Sequence, residues 1–225
     1  MKTPPEVPIA ATAPEARITS TLLSAKPREE STAVSLVVGM AIAFGSVLCW
    51  RNPDLGRLLA ASRSQAVDQG EFWRLLTTIA VHADLAHLAV NIPLVVFFGY
   101  LLFGYFGPRI YPAAMLLLAA LATLFSLLTY PPRAVLIGAS GLVYLMLGFW
   151  LVLYALIERT LPPTKRLLRI VGIALIVLVP TTVQPEVSYR THFIACGLGV
   201  IAAVPYFLAN RKRFRSLEVI EFEPG

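Results

Sequence analysis

Long apolar runs separated by short polar connections dominate the chain, at residues 31–50, 82–103, 111–130, 136–157, 167–183 and 191–209. Each approaches the roughly 20 apolar residues an α-helix needs to cross a bilayer's hydrocarbon core. The pattern predicts an all-α membrane protein, a bundle of six transmembrane helices. Residues 51–81 break the rhythm: Leu55, Leu58, Leu59, Phe72, Trp73, Leu75 and Leu76 mix with Arg57, Arg63, Asp68, Glu71 and Arg74. That mixture is too polar to cross and predicts an interfacial, partly structured first loop.

Residues 1–30 are rich in Pro, Ala, Ser, Thr and charge, without a sustained apolar face, and predict a flexible tail. The run at 31–50 starts too late and is too long for a signal peptide's apolar region, so it is expected to be retained as the first helix. The expected organisation is a flexible cytoplasmic tail at 1–30, a membrane domain at 31–209 and a basic cytoplasmic tail at 210–225.

Composition agrees with this picture. Hydrophobic residues make up 57% of the 225 and charged residues 14%, and mean hydropathy is +0.72. That leaves too little polar surface to coat a water-soluble globule, so the bilayer is the expected solvent. The net charge of +6 would suggest nucleic acid in a soluble protein. Here the basic residues flank apolar segments, as the positive-inside rule requires, and no nucleic-acid partner is expected. Arg159, Lys165, Arg166 and Arg169 follow the fourth run, and Arg211, Lys212, Arg213 and Arg215 follow the sixth. Two crossings separate these clusters, so both are expected to face the cytoplasm, and six crossings put the N-terminus there too. The first helix alone is ambiguous, because Lys26 and Arg28 compete with Arg51, Arg57 and Arg63.

Polar side chains inside apolar segments are costly and mark function. In this topology the second, fourth and sixth helices run inward from the outer face. His82, His87 and Asn91 fall early in the second run, Ser140 opens the fourth and His192 opens the sixth. All three histidines of the chain therefore share one layer. His87 and Asn91 are one helical turn apart, as are Ser140 and Tyr144, while small residues Ala195 and Gly199 follow on the face of His192. A serine hydroxyl becomes nucleophilic when an imidazole within hydrogen-bond reach takes its proton, and Ser140 with His192 is the pair at matched depth. His87, Asn91 and the backbone N–H of Ser140 could supply oxyanion donors. No Asp or Glu lies inside the predicted hydrocarbon region, which leaves a Ser–His dyad, with Tyr144 placed to hold the imidazole by packing.

Other chemistries fit less well. His82 and His87 are five apart, off the spacing of H-E-x-x-H, and no glutamate follows His82, so no metal is expected. G-x-S-x-G would need glycine at 142, where the chain has Leu142. Of the two cysteines, Cys49 and Cys196, neither has a metal or redox spacing, and Cys196, four residues beyond His192, suits packing.

At these residues the chain resembles the rhomboid family of intramembrane serine proteases, over about Glu71 to Tyr206. The matching pieces are Glu71-Phe72-Trp73-Arg74, His82-x4-His87-x3-Asn91, Gly138-Ala139-Ser140-Gly141 with Tyr144 following, and His192. The resemblance implies a six-helix rhomboid-like bundle with a membrane-embedded first loop structured by Trp73 and Arg74. It implies Ser140 as nucleophile, His192 as general base, His87 and Asn91 at the oxyanion site, Tyr144 against the His192 ring, and His82, Gly138 and Gly141 in support. It also implies no cofactor, substrates that are single-pass or other transmembrane proteins, and a bacterial inner membrane with the site opening outward. Two positions depart from the family: Ala195 stands where a glycine is usual, and Phe103, four before Gly107, stands where an acidic residue is frequent. A non-proteolytic rhomboid-like protein that binds membrane helices, and a small transporter or channel, are the alternatives.

Overall fold

The computed structural model describes residues 15–178 and 188–223. A strand β1 (Glu15–Ser20) precedes α1 (Ser31–Arg51) and a short α2 (Pro53–Leu59), which leads through β2 (Ala61–Ser62) to α3 (Arg74–Thr77). Then come α4 (Leu85–Phe106), α5 (Met115–Leu127), β3 (Val135–Leu136), α6 (Ser140–Ile157), α7 (Pro163–Leu178), α8 (Tyr189–Ser216) and β4 (Val219–Glu223). Among the described residues five helical segments are long and apolar enough to cross a membrane: Ser31–Arg51, Leu85–Phe106, Arg109–Leu127, Ser140–Ile157 and Tyr189–Ser216. The fifth expected run, 167–183, coincides with α7 as far as Leu178, and its last residues lie outside the described ones.

Contacts at the helix ends fix the passes. Gly104 and Tyr105, near the end of α4, bond to Arg28 and Leu23 ahead of α1. Phe106 meets Trp150, Tyr206 and Phe214 of α6 and α8, and Arg159, just past α6, pairs with Glu218, just past α8. The start of α1 and the ends of α4, α6 and α8 therefore share one end of the bundle. Leu85, Ser140 and Tyr189 open their helices at the other. α7 starts beside the close of α6, where Arg166 donates to Ala155 O, and reaches Tyr144, near the opening of α6, at Val177, so it runs from the first end toward the second as a sixth helix of the bundle.

Lipid tails are as apolar as leucine, so packing rather than water exclusion holds such helices together, and small residues allow the closest packing. α6 is the hub, with Leu142, Leu145, Met146, Leu147 and Leu153 fully buried. It runs parallel to α8 along a seam of bare backbone. A methyl on Gly148 would strike the Cys196 carbonyl, and one on Gly199 would strike the Leu145 carbonyl and lie 2.8 Å from the Phe149 nitrogen. Ala195, where the resemblance leads to glycine, is fully buried in the core. Phe103 joins the core, 8% exposed, and its carbonyl caps the helix by accepting from Gly107. α1 lays a face of Ser31, Ser35, Gly39, Ile42 and Ser46 inward and exposes Val37, Met40 and Phe44, as a lipid-facing helix should.

Three expectations need correction. Within the stretch read as a flexible tail, Glu15–Ser20 is a strand, and it pairs antiparallel with β4. Ala16 faces Phe222 and Ile18 faces Ile220 across the ladder, while Arg17 faces Glu221. The partner is about two hundred residues away, so no local pattern reveals it. The stretch read as a basic tail is likewise structured, since α8 continues to Ser216 and β4 follows. Finally, His82 lies outside the second helix. Asp84 caps α4 by accepting from the His87 N–H at 2.7 Å, which starts the helix at Leu85 and leaves His82 in the preceding connection.

Candidate active site

The first loop is organised by Arg74, 4% exposed. Its guanidinium donates to the carbonyls of Arg57 (2.7 Å), Leu58 and Ala60 (3.0 Å), and its Nε pairs with Glu71. Those carbonyls end α2 and lead into β2, so one side chain ties α2 and β2 to α3. Trp73, the neighbour of Arg74 in the chain, is 49% exposed. β2 then pairs with β3, Ala61 against Leu136 and Ser62 against Val135, which holds the approach to Ser140 against the first loop.

Gly138 turns the chain into α6 at φ +104°, a conformation that side chains rarely adopt. It is also a contact point: a methyl there would lie 2.7 Å from His87 Cε1. The Gly138 N–H donates to the Thr78 carbonyl at 3.1 Å, and Thr78, itself buried, donates its hydroxyl to Leu136 O. α6 begins at Ser140, with the Val143 N–H closing its first turn onto Ala139 O.

The seam between α6 and α8 sets the level of the two chemical groups. Gly141 faces the Thr191 methyl, at 3.6 Å from where its own Cβ would be. One turn on, the Tyr144 ring stacks on His192 with centroids 4.0 Å apart and planes inclined by 16°. Ser140 and His192 thus each sit beside a residue that touches the other helix. Tyr144 also donates its hydroxyl to Val177 O of α7 at 2.9 Å, and the Tyr189 ring meets His192 edge-on.

α4 brings the other two histidine-layer residues. The His82 and His87 rings stand edge-to-face at 5.0 Å, and Gly138, two residues before Ser140, lies against the His87 ring at the end where α8 opens near His192. The three histidines therefore gather at one end of the bundle. Asn91 is 4% exposed and donates to the His87 carbonyl at 2.8 Å. A primary amide carries two N–H groups, so this bond leaves one to point elsewhere. Beside Ser140 is a cavity of about 20 Å³ whose lining residues include Thr78, Thr123, Ser188 and Thr191, comparable with the roughly 10–15 Å³ that one buried water needs. Among the described residues no group of three or more His, Cys, Asp or Glu could hold a metal ion.

Comparison with known proteins decides the family. The Rhomboid domain matches residues 69–209, more than half of the chain. The chain belongs to the rhomboid family. It is an integral, multi-pass membrane protein of that family, and the matched region takes in α3 through most of α8, with every residue of the gathered layer. It is 33% identical over 123 residues to the "Rhomboid protease GluP" of Bacillus subtilis (strain 168). That match covers 53% of this chain and 22% of the relative, so the chain spans about a fifth of the relative's length.

Sequence reasoning missed Ser46 and Trp50 of α1, which reach this region. Ser46 Oγ is 2.9 Å from His82 Nδ1, and Trp50 Nε1 donates to the His82 carbonyl at 2.7 Å. The signal was available: Ser46 is a polar residue deep in an apolar run, the situation that ordinarily marks a partner or a function.

Proposed function

We propose that this protein is an intramembrane serine endopeptidase that uses Ser140 and His192 to cut peptide bonds in or near transmembrane segments of other membrane proteins. The observation that carries the reading is the Tyr144–His192 stack one turn beyond Ser140, in register with the Gly141–Thr191 contact. It supports the reading because Ser140 lies one turn from Tyr144 on α6 and next to Gly141, while His192 lies next to Thr191 on the parallel α8. Family membership and the similarity to a named rhomboid protease support it.

In this mechanism His192 takes the Ser140 proton as the hydroxyl attacks the scissile carbonyl, then returns it to the leaving amine. The Ser140 N–H, His87 and the free N–H of Asn91 stabilise the oxyanion. Water hydrolyses the acyl-enzyme, and the cavity beside Ser140, with Thr78, Thr123, Ser188 and Thr191 among its lining residues, has room for one molecule. A transmembrane helix with every backbone group bonded resists proteolysis, so the scissile bond lies where Gly, Pro or small residues weaken a helix near its end. The basic residues Arg28, Arg159, Arg166, Arg211, Lys212 and Arg213 gather at the end of the bundle opposite Ser140. By the positive-inside rule that end faces the cytoplasm and the site opens outward, in a bacterial inner membrane.

The test is cleavage of a panel of single-pass segments by purified protein in detergent or liposomes. Wild type is expected to cut, and folded Ser140→Ala and His192→Ala to lose cutting. Retained cleavage in either variant would overturn the dyad.

A further inference from the structure

The mechanism above makes no use of His82, yet its ring is the best-tethered polar group near the site. It is 2% exposed, and its two nitrogens have different partners. Nε2 accepts from the Ala139 N–H at 3.2 Å, and Nδ1 lies 2.9 Å from Ser46 Oγ. A nitrogen that accepts carries no proton, so the ring is neutral with its proton on Nδ1. Ser46 must then accept from Nδ1–H. Its own hydroxyl proton goes on to the carbonyl of Ile42 or Ala80, each 3.0 Å away. A directed chain of hydrogen bonds runs from α1 through His82 to the residue just before Ser140.

The position it holds matters. The Gly138 N–H is committed to Thr78 O and the Ala139 N–H to His82, so the next N–H along the chain is that of Ser140. Ala139 has φ −80° and ψ 0°, in the sparsely allowed bridge region. That conformation sets the direction of the Ser140 N–H relative to the tethered peptide plane. Without the tether, Ala139 is free to relax toward regular helix, which would turn both the N–H and the Cα–Cβ bond of Ser140.

We infer that His82 is a positioning residue, which together with Ser46 of α1 fixes the Gly138–Ala139 peptide and so aims the Ser140 hydroxyl and N–H. The inference rests on Ser140 being the nucleophile. It makes α1, which supplies no group to the chemistry, a determinant of rate. His82 touches neither the substrate nor the reacting atoms, so its loss lowers the rate of the chemical step and leaves substrate affinity in place.

The experiment compares wild type, His82→Leu, His82→Gln, Ser46→Ala and Ser140→Ala, each checked for folding by thermal unfolding. Two readouts are the saturating rate of labelling by a fluorophosphonate and kcat with KM on a cleavable segment. A third is the 15N NMR signature of the His82 ring. The expected rate falls by about tenfold to 10²-fold in His82→Leu, the scale of a small misplacement at a reacting centre. The fall is smaller in Ser46→Ala, where the ring loses the partner that fixes its Nδ1 proton but keeps an Nε2 able to accept from the Ala139 N–H whenever that tautomer is populated, and KM stays within about twofold in both. His82→Gln, whose amide oxygen can reach the Ala139 N–H, restores most of the rate. The NMR signature is a neutral ring protonated on Nδ1, lost in Ser46→Ala. Folded His82→Leu that reacts at the wild-type rate, or that raises KM alone, overturns the inference. If His82→Leu does not fold, a wild-type rate in Ser46→Ala overturns it instead. Wild type that takes no label at Ser140 defeats the protease reading itself, and the NMR result then still reports whether the tether exists.

Discussion

Tyr144 lies flat against His192, centroids 4.0 Å apart, while its hydroxyl bonds to Val177 O of α7. One side chain thus holds the imidazole on α8 and a carbonyl of α7. Stacked rings contribute about 0.5–1.5 kcal/mol beyond area burial, up to roughly tenfold in rate if the stack defines the reactive ring orientation. Tyr144→Ala is therefore expected to lose up to about tenfold in kcat. Tyr144→Phe keeps the stack and should retain most of kcat. Equal losses in the two would show that the hydroxyl, not the ring, is what counts.

The α6–α8 seam predicts a sharp contrast among glycines. Gly148→Leu or Gly199→Val drives a side chain into the facing backbone and should cost about 1–3 kcal/mol or more. Gly197, with nothing within 4 Å of its added methyl, should accept Ala with no loss. Thermal unfolding in detergent measures all three, and a seam that tolerates Gly148→Leu would contradict the close approach described.

Gly138→Ala meets two obstacles at once, a φ of +104° and the His87 ring. The backbone strain alone is about 1–3 kcal/mol. His87→Ala in the same chain should relieve the clash but not the strain, so the double variant is expected to recover only part of the lost unfolding temperature. Full recovery would mean that the glycine is needed for space alone.

Arg74 is the keystone of the first loop. Removing a buried cation whose carboxylate and carbonyl partners stay behind costs about 3–5 kcal/mol. Arg74→Ala should unfold first in the loop, seen as faster hydrogen exchange at Leu75–Thr78 than at α6. Arg74→Lys should fall between, since one ammonium nitrogen cannot hold both the carbonyls that Nη1 bonds and the Glu71 carboxylate that Nε bonds. Uniform exchange across the bundle would contradict this local role.

The apolar runs, and hence the helices, were legible because lipid demands about 20 apolar residues per pass. Their boundaries were less so, since they depend on single residues: Asp84 starts α4 after His82, Gly138 delays α6 to Ser140, and helix-forming basic residues carry α8 on to Ser216. The site layer was readable because polar residues in apolar runs are few. What stayed hidden are pairings of residues far apart in the chain. Ser46 with His82, Thr78 with Leu136, and the strand of Glu15–Ser20 with Val219–Glu223 have no periodic signature. The departures at Ala195 and Phe103 were visible, but not that both side chains are buried in the core.

The account's central claim is that Ser140 is made nucleophilic by His192. Intact-mass and peptide mapping of the protein after fluorophosphonate treatment tests it most directly. One adduct on Ser140 is expected in wild type, formed far more slowly in His192→Ala. No adduct, an adduct elsewhere, or an undiminished rate without His192 would contradict it.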